Sequence, residues 1–157
     1  MSKNVIDHRV KWDKIKKSIL NLDNEFVTVG VQSGENTDKG ASIAEYAFYN
    51  EYGTESQDGK TIIPARSFIR STMDESRQAI SKFIDAKFLE VVDNPDLATA
   101  RKALGNIGQL VQGLIQKKIT ILKDPPNRPR TIVKKGSSNP LIDTGQLRSA
   151  IRYKVSS

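Results

Sequence analysis

Residues 67–92 read SFIRSTMDESRQAISKFIDAKFLEVV and form the longest amphipathic segment of the chain. Its large apolar side chains recur at close to the spacing of helical turns, which keeps them on one stripe of an α-helix. They are Met73, Ile80, Phe83, Ile84, Phe88 and Val91. The segment predicts a long helix with this stripe packed against the rest of the fold.

A second long helix is expected directly afterwards, reaching about Leu122. Asn94 and Pro95 are a typical start, because a capping side chain is followed by a first-turn proline. The inner face would hold Leu104, Ile107, Val111 and Leu114. Three glycines interrupt it at about 1 kcal/mol each relative to alanine: Gly105, Gly108 and Gly113. They indicate the close approach of a neighbouring element or a hinge.

Strand patterns flank this helical middle. Residues 25–31 alternate β-branched and other side chains, and Ile151, Tyr153 and Val155 alternate near the C-terminus. We expect these two strands to pair, with another short strand or extended segment at 61–63. The chain, at 157 residues, has the length of a single domain. The predicted fold class is α+β, a small antiparallel sheet packed against two long helices, with extended loop arms.

Two shorter helices are expected before the long ones. Residues 1–22 form a basic N-terminal region, in which a helix over 7–22 is capped by Asp7 and turns Trp12, Ile15, Ile19 and Leu22 inward. A helix over 41–52 buries Ile43, Ala44, Ala47 and Phe48 and ends at a left-handed cap, Gly53. Its aromatic cluster is typical of a core or subunit interface rather than a base-stacking platform: Tyr46, Phe48, Tyr49 and Tyr52.

Residues 32–40 and 124–140 are predicted to be flexible arms, because glycines and polar residues dominate the first and prolines the second. Within the second arm, either residues 131–133 form a strand or the segment becomes ordered on a partner. Asp143 or Thr144 is expected to cap a short helical turn over 145–148.

Charge is distributed unevenly along a chain whose net charge is +7. One basic and eight acidic residues give residues 23–59 a net charge of −7, whereas seven basic and one acidic residue give residues 125–157 a net charge of +6. Such a molecule can attract copies of itself as readily as it attracts a polyanion.

Catalytic and metal-binding patterns are scarce. The chain has no cysteine and a single histidine, His8, and the spacing of Glu45, Glu51 and Glu55 matches no known metal loop. Phosphate-binding and dinucleotide-binding glycine motifs are also missing. We therefore expect no enzymatic activity, metal or cofactor, and the apolar runs are too short for a membrane helix. Nonspecific nucleic-acid binding through the basic first helix and the basic C-terminal region remains the alternative.

Four short segments and two single residues between them carry a resemblance to a known family. NEYGT at 50–54 is followed by IPARSF at 63–68, and later by PPN at 125–127, Thr131, Lys135 and PLIDTGQLR at 140–148. In this order the segments resemble the tail-completion or neck proteins of long-tailed bacteriophages, over about residues 26–155. Ser67 departs from the pattern, because the family commonly has proline after the arginine of the IPAR segment.

The resemblance implies a small α+β subunit of the virion neck or tail end, present in the host cytoplasm during assembly. It implies a hexameric or dodecameric ring that joins the capsid connector to the tail and surrounds the DNA path. Its partners would be neighbouring head-completion or connector proteins, tail-terminator proteins and, nonspecifically, phage DNA.

A ring contact of this kind would join the acidic segment of one subunit to the basic groups of the next. We expect Arg66 and Arg70 to meet carboxylates of the 45–58 segment, within a subunit or across to a neighbour. The predicted subunit or partner interface consists of Glu51, Glu55, Arg66, Arg70, Pro125, Pro126, Asn127, Arg128, Arg130, Lys134 and Lys135.

Overall fold

The two long amphipathic segments form the predicted pair of helices, and the predicted sheet packs against the second of them. A computed structural model describes residues 9–32, 36, 40 and 42–157. In chain order these residues form α1 (Arg9–Leu22), β1 (Phe26–Val31), α2 (Ile43–Tyr52), β2 (Thr54–Glu55), β3 (Thr61–Ile63), α3 (Arg70–Asp93), α4 (Leu97–Ile121), α5 (Pro129–Lys135), α6 (Gln146–Ala150) and β4 (Ile151–Ser156).

The predicted α+β class is confirmed. β1 pairs with β4 in antiparallel register, with Phe26 opposite Ser156 and Val31 opposite Ile151, and β2 pairs with β3 in a short hairpin. The β1–β4 sheet packs on α4, and α3 lies alongside α4. The main core, between these layers and α6, includes Phe68, Ile115, Ile119, Leu141 and Ile151.

The packing around Gly108 explains why one of the three unfavourable glycines stands in α4. A Cβ at this position would lie 2.7 Å from both Tyr153 Cδ2 and Val27 Cγ2, so the sheet packs directly on the helix backbone. The predicted close approach is confirmed there, and α4 continues through all three glycines as one helix. Gly113 has no such neighbour, since a Cβ there would meet nothing within 4 Å.

Several predicted helix ends were wrong. α4 is capped by Asp96 rather than Asn94, because the Asp96 carboxylate accepts from Thr99 N at 2.9 Å. α6 begins after Gly145, whose left-handed backbone replaces the side-chain cap expected from Asp143 or Thr144. Gly53 does end α2 with a positive φ of 77°, but its ψ of 173° lies outside the left-handed helical region.

The inward faces predicted for the first two helices were wrong in part. In α1, Trp12 and Ile19 are more than half exposed, whereas Ser18 is fully buried with its Oγ 3.1 Å from Val91 O. In α2, Ile43 and Ala47 are buried, but Ala44 and Phe48 are exposed. The buried face of α2 turns instead toward Asn50 and Glu51, because hydrogen bonds satisfy these polar side chains. Asp7 lies outside the described residues.

The predicted apolar stripe of α3 is only partly buried. Ile80 and Val91 are buried, whereas Met73, Ile84 and Phe88 remain about two-fifths exposed. The 124–140 prediction was wrong in its centre, because residues 131–133 lie in helix α5 rather than in a strand or an unstructured arm. Pro129 occupies the first turn of α5, where its missing N–H is tolerated, and Gly136 ends it in the left-handed region. Most of the 32–40 arm lies outside the described residues.

Candidate functional site

A cleft of about 630 Å³ opens between α2, β3, α5 and the turn that precedes α6. All four segments that carry the family resemblance contribute to its walls. Most of its lining is apolar, including Ile43, Ile62, Ile63, Pro64, Leu141 and Leu147. Most of its polar side chains come from Arg66, residues 127–135 and the turn before α6. This combination is typical of a ligand-binding or partner-binding site.

Arg66 is a buried clamp on one side of the cleft. Its Nε donates to Pro125 O at 2.8 Å, and its Nη2 donates to Pro126 O and to Asn127 Oδ1. Within the subunit the guanidinium therefore binds neutral oxygens of the PPN segment instead of a carboxylate, and the contact expected across to a neighbour stays a prediction. The planar fork of arginine suits such a set of acceptors.

Lys135 lies at the end of α5 on the same cleft. Its Nζ donates to Asn139 O and Pro140 O, both at 3.2 Å. The pKa of Lys135 is lowered, chiefly because burial disfavours its charge; Asp143 opposes this effect and the Arg66 guanidinium adds to it. Two cations are thus held near each other on one cleft.

Tyr46 and Asp143 are two further polar residues of the cleft. Burial is the main cause of a raised pKa at the Tyr46 hydroxyl, and the negative charge of Asp143 raises it further. The phenol therefore stays neutral at physiological pH. Asp143 is exposed and forms no ion pair within 4 Å among the residues that the structure describes.

Glu51 is buried beside the cleft and caps the N-terminus of α3. Its Oε2 accepts from Phe68 N at 2.7 Å and from Ile69 N at 2.9 Å, while its Oε1 accepts from Ser67 Oγ at 2.7 Å. Burial raises the pKa of Glu51, but these hydrogen bonds and one from Arg70 N outweigh it, so the pKa lies below its ordinary value. Glu51 is therefore buried within the subunit, and its predicted place at an interface stays a prediction.

Arg70 does meet a carboxylate, as predicted. Its Nε lies 3.1 Å from Glu51 Oε1, and its guanidinium stacks 4.5 Å from the centre of the Tyr52 ring. Ser67, where the family commonly has proline, also supports this arrangement by donating to Glu51.

The other predicted interface residues divide into two groups. Arg128 lines the rim of the cleft and donates to Thr61 O at 3.2 Å, whereas Arg130 and Lys134 are exposed on α5 outside it. Glu55 is exposed on β2. Pro125, Pro126 and Asn127 contact Arg66, as described above.

Sequence reasoning missed Asn139, which holds the turn beside the site. Asn139 Oδ1 accepts from Leu141 N and Ile142 N, and its Nδ2 donates to Thr120 O at 2.8 Å. The Asn139–Pro140 pair is a turn signal that would have indicated it. Asn50, the first residue of the NEYGT segment, contacts Arg66 through the backbone: its carbonyl accepts from Arg66 N at 2.6 Å.

An aromatic surface lies on the face of α2 that turns away from the core. Phe48, Tyr49 and Tyr52 are 58%, 43% and 53% exposed. The Phe48 ring lies 4.8 Å from that of Tyr52 and 6.1 Å from that of Tyr49, centre to centre. A contiguous exposed aromatic group of this kind is typical of a protein interface.

The cleft combines fixed cations with a largely apolar lining. Within the described residues, acidic and histidine side chains do not gather in the groups of three that would hold a metal ion. In the same ranges, no helix is long and apolar enough to span a bilayer. Backbone carbonyls hold the two cations of the cleft, Arg66 and Lys135. Cations fixed in this way are suited to bind an anionic group.

Comparison with known proteins finds no match: no family model fits the chain, and no curated protein or solved structure is similar to it. The family resemblance stays a prediction that depends on the motif segments alone.

Proposed function

We propose that this chain is a structural subunit of the head-tail junction of a bacteriophage particle. In this role it forms a ring that joins the capsid connector to the tail and surrounds the DNA exit path. Its work is to bind copies of itself and adjoining virion proteins. No reaction is assigned to it.

The observation that carries this proposal is the convergence of the motif segments. Parts of the resemblance that are far apart in the sequence line one cleft: IPAR, PPN, Lys135 and the segment before DTGQ. Hydrogen bonds donated by the Arg66 and Lys135 side chains join them. This supports reading them as parts of one module rather than as separate chance matches.

The surface chemistry also supports self-association. The exposed aromatic surface of α2 is left uncovered, while acidic residues precede it and follow it in the chain and basic residues dominate the C-terminal region. A ring needs two different complementary edges on each subunit, and a chain with this polarity supplies them.

The mass of the purified full-length chain tests this function. We expect sedimentation velocity and electron microscopy to show a closed ring whose assembly weakens as salt is raised. A monomer at every protein concentration and salt concentration would overturn the proposal.

Nucleic-acid binding is the competing function, and one observation favours it. Lys14 and Lys17 on α1 and Arg130 and Lys134 on α5 are exposed and form no ion pair among the described residues. Tight binding of duplex DNA by the monomer at physiological salt would favour this function, whereas ring assembly with weak DNA affinity favours the neck subunit.

A further inference from the structure

The cleft carries positive charge that the described part of the chain does not neutralise. Arg66 is 6% exposed and Lys135 is partly buried, yet neither has a carboxylate within 4 Å among the described residues. Arg128 adds a third cation at the rim, against one acid, Asp143. Partly buried cations without an opposite charge are unfavourable, so an anion entering the cleft would be stabilised.

Hydrogen-bond donors remain for such an anion. Lys135 Nζ has three protons, of which two are directed to Asn139 O and Pro140 O. Among the described residues, the Arg66 side chain donates hydrogen bonds from Nε and Nη2 only, and the Arg128 side chain donates from Nη2 only. Donors of this kind bind a carboxylate through charge-assisted hydrogen bonds.

The rest of the cleft wall is apolar and needs apolar groups of the ligand, next to its carboxylate, to pack against it. Isoleucine, leucine and proline side chains dominate the lining, and the volume of about 630 Å³ is in the range that admits several large side chains. A free inorganic anion would leave these walls in water. The cleft therefore suits a carboxylate carried on a protein surface beside aromatic or aliphatic groups.

The chain itself presents such a surface. Glu55 is exposed, forms no ion pair among the described residues, and follows Tyr52 by three positions. Tyr52 belongs to the exposed aromatic surface with Phe48 and Tyr49. The cleft uses other residues of α2, Ile43, Tyr46 and Asn50, so one helix contributes to two distinct surfaces.

We propose that the cleft of one subunit receives Glu55 and the adjoining aromatic surface of a second copy of this chain. The contact is heterologous, because the acidic aromatic surface of each copy faces the basic cleft of the next, and such contacts generate rings. This inference rests on the proposed function and assigns the two edges of the ring.

Charge variants of the full-length chain test it. We expect Arg128→Glu, Lys135→Gln and Glu55→Lys each to weaken association in sedimentation equilibrium by about tenfold or more. Lys82→Glu is the matched control, because this exposed lysine of α3 lies outside the cleft and outside the predicted interface; it should change association by less than about twofold. Combining Glu55→Lys with Arg128→Glu restores opposite charges and should recover most of the lost affinity.

Thermal unfolding of each variant shows whether a loss of assembly comes from a loss of folding. Arg128→Glu is the variant least expected to disturb the fold, because its side chain is exposed. A ring that persists unchanged in Arg128→Glu and Lys135→Gln would overturn this inference and leave the proposed function standing. Weakening by those two variants without weakening by Glu55→Lys would overturn the assignment of Glu55. A wild-type chain that never assembles would overturn the proposed function itself.

Discussion

Glu51 and Arg70 are joined by three hydrogen bonds that combine an ion pair with a helix cap. Glu51 Oε1 accepts from Arg70 N at 3.0 Å and from Arg70 Nε at 3.1 Å, and Glu51 O accepts from Arg70 Nη2. Ile69, which precedes α3, provides no side-chain cap of its own. The end of α2 therefore supplies the negative charge that the N-terminus of α3 needs.

Glu51→Gln is expected to lower the free energy of unfolding by about 2–4 kcal/mol, because a neutral amide turns one acceptor oxygen into a donor facing backbone N–H groups. Chemical denaturation measures the change. Glu55→Gln is the matched control, since its side chain is exposed, and should stay within about 0.5 kcal/mol of wild type. Equal effects of the two variants would contradict the capping role.

The contribution of the Glu51 carboxylate to the free energy of unfolding should also depend on pH. The pKa of Glu51 in the fold lies below its ordinary value of 4.5. Its contribution is therefore complete above about pH 4.5 and is lost as the pH falls through the lower folded value. The difference in stability between wild type and Glu51→Gln should shrink over this acid range. Taking the difference cancels other acid-sensitive groups such as Asp96, and a difference independent of pH would refute the assignment.

Two glycines of α4 should respond to alanine with opposite signs. Gly108→Ala places a methyl group 2.7 Å from Tyr153 and Val27, and we expect a net loss of about 1–2 kcal/mol after the gain in helix propensity. Gly113→Ala meets nothing within 4 Å and should stabilise the chain by about 0.5–1 kcal/mol. Thermal or urea unfolding measures both. Stabilisation by both variants would show that the sheet moves away from α4 at little cost.

The sequence predicted regular elements better than it predicted which polar residues become buried. The period of two in β1 and β4, the long stripe of α3 and the interruption at Gly108 are local patterns, and each led to a correct element or contact. Glu51 was interpreted as a surface acid because its burial depends on five donors at 67–70, which no spacing rule connects to it. Arg66 was paired with carboxylates for a similar reason, since its carbonyl acceptors come from a segment about sixty residues away.

Helix α5 was missed because prolines surround it. Pro125, Pro126 and Pro129 argue against a continuing helix, which is correct for the end of α4, but Pro129 in a first turn starts a new helix rather than preventing one. The cleft could be anticipated only through the family resemblance, because its lining comes from segments far apart in the chain.

Arg66→Lys is expected to loosen the segment that leads into α5. A lysine ammonium cannot reproduce the fork that reaches Pro125 O, Pro126 O and Asn127 Oδ1 together. Hydrogen exchange should become faster at residues 124–136, with a loss of about 1–3 kcal/mol in global stability. Arg148→Lys is the control, because this side chain is exposed on α6. Unchanged exchange in Arg66→Lys would show that the segment is held by apolar packing alone.

The exposed aromatic surface of α2 should matter to assembly more than to folding. Phe48→Ser and Tyr49→Ser remove side chains that are 58% and 43% exposed, so we expect small changes in monomer stability but a clear loss of assembled mass in sedimentation velocity. Val133→Ser is the control, because Val133 is 84% exposed on α5 and lies outside the aromatic surface. Aromatic residues contribute strongly to interfaces when water is excluded around them, whereas an isolated exposed valine contributes little. If Val133→Ser weakened assembly as much as Phe48→Ser, assembly would not depend specifically on the aromatic surface of α2.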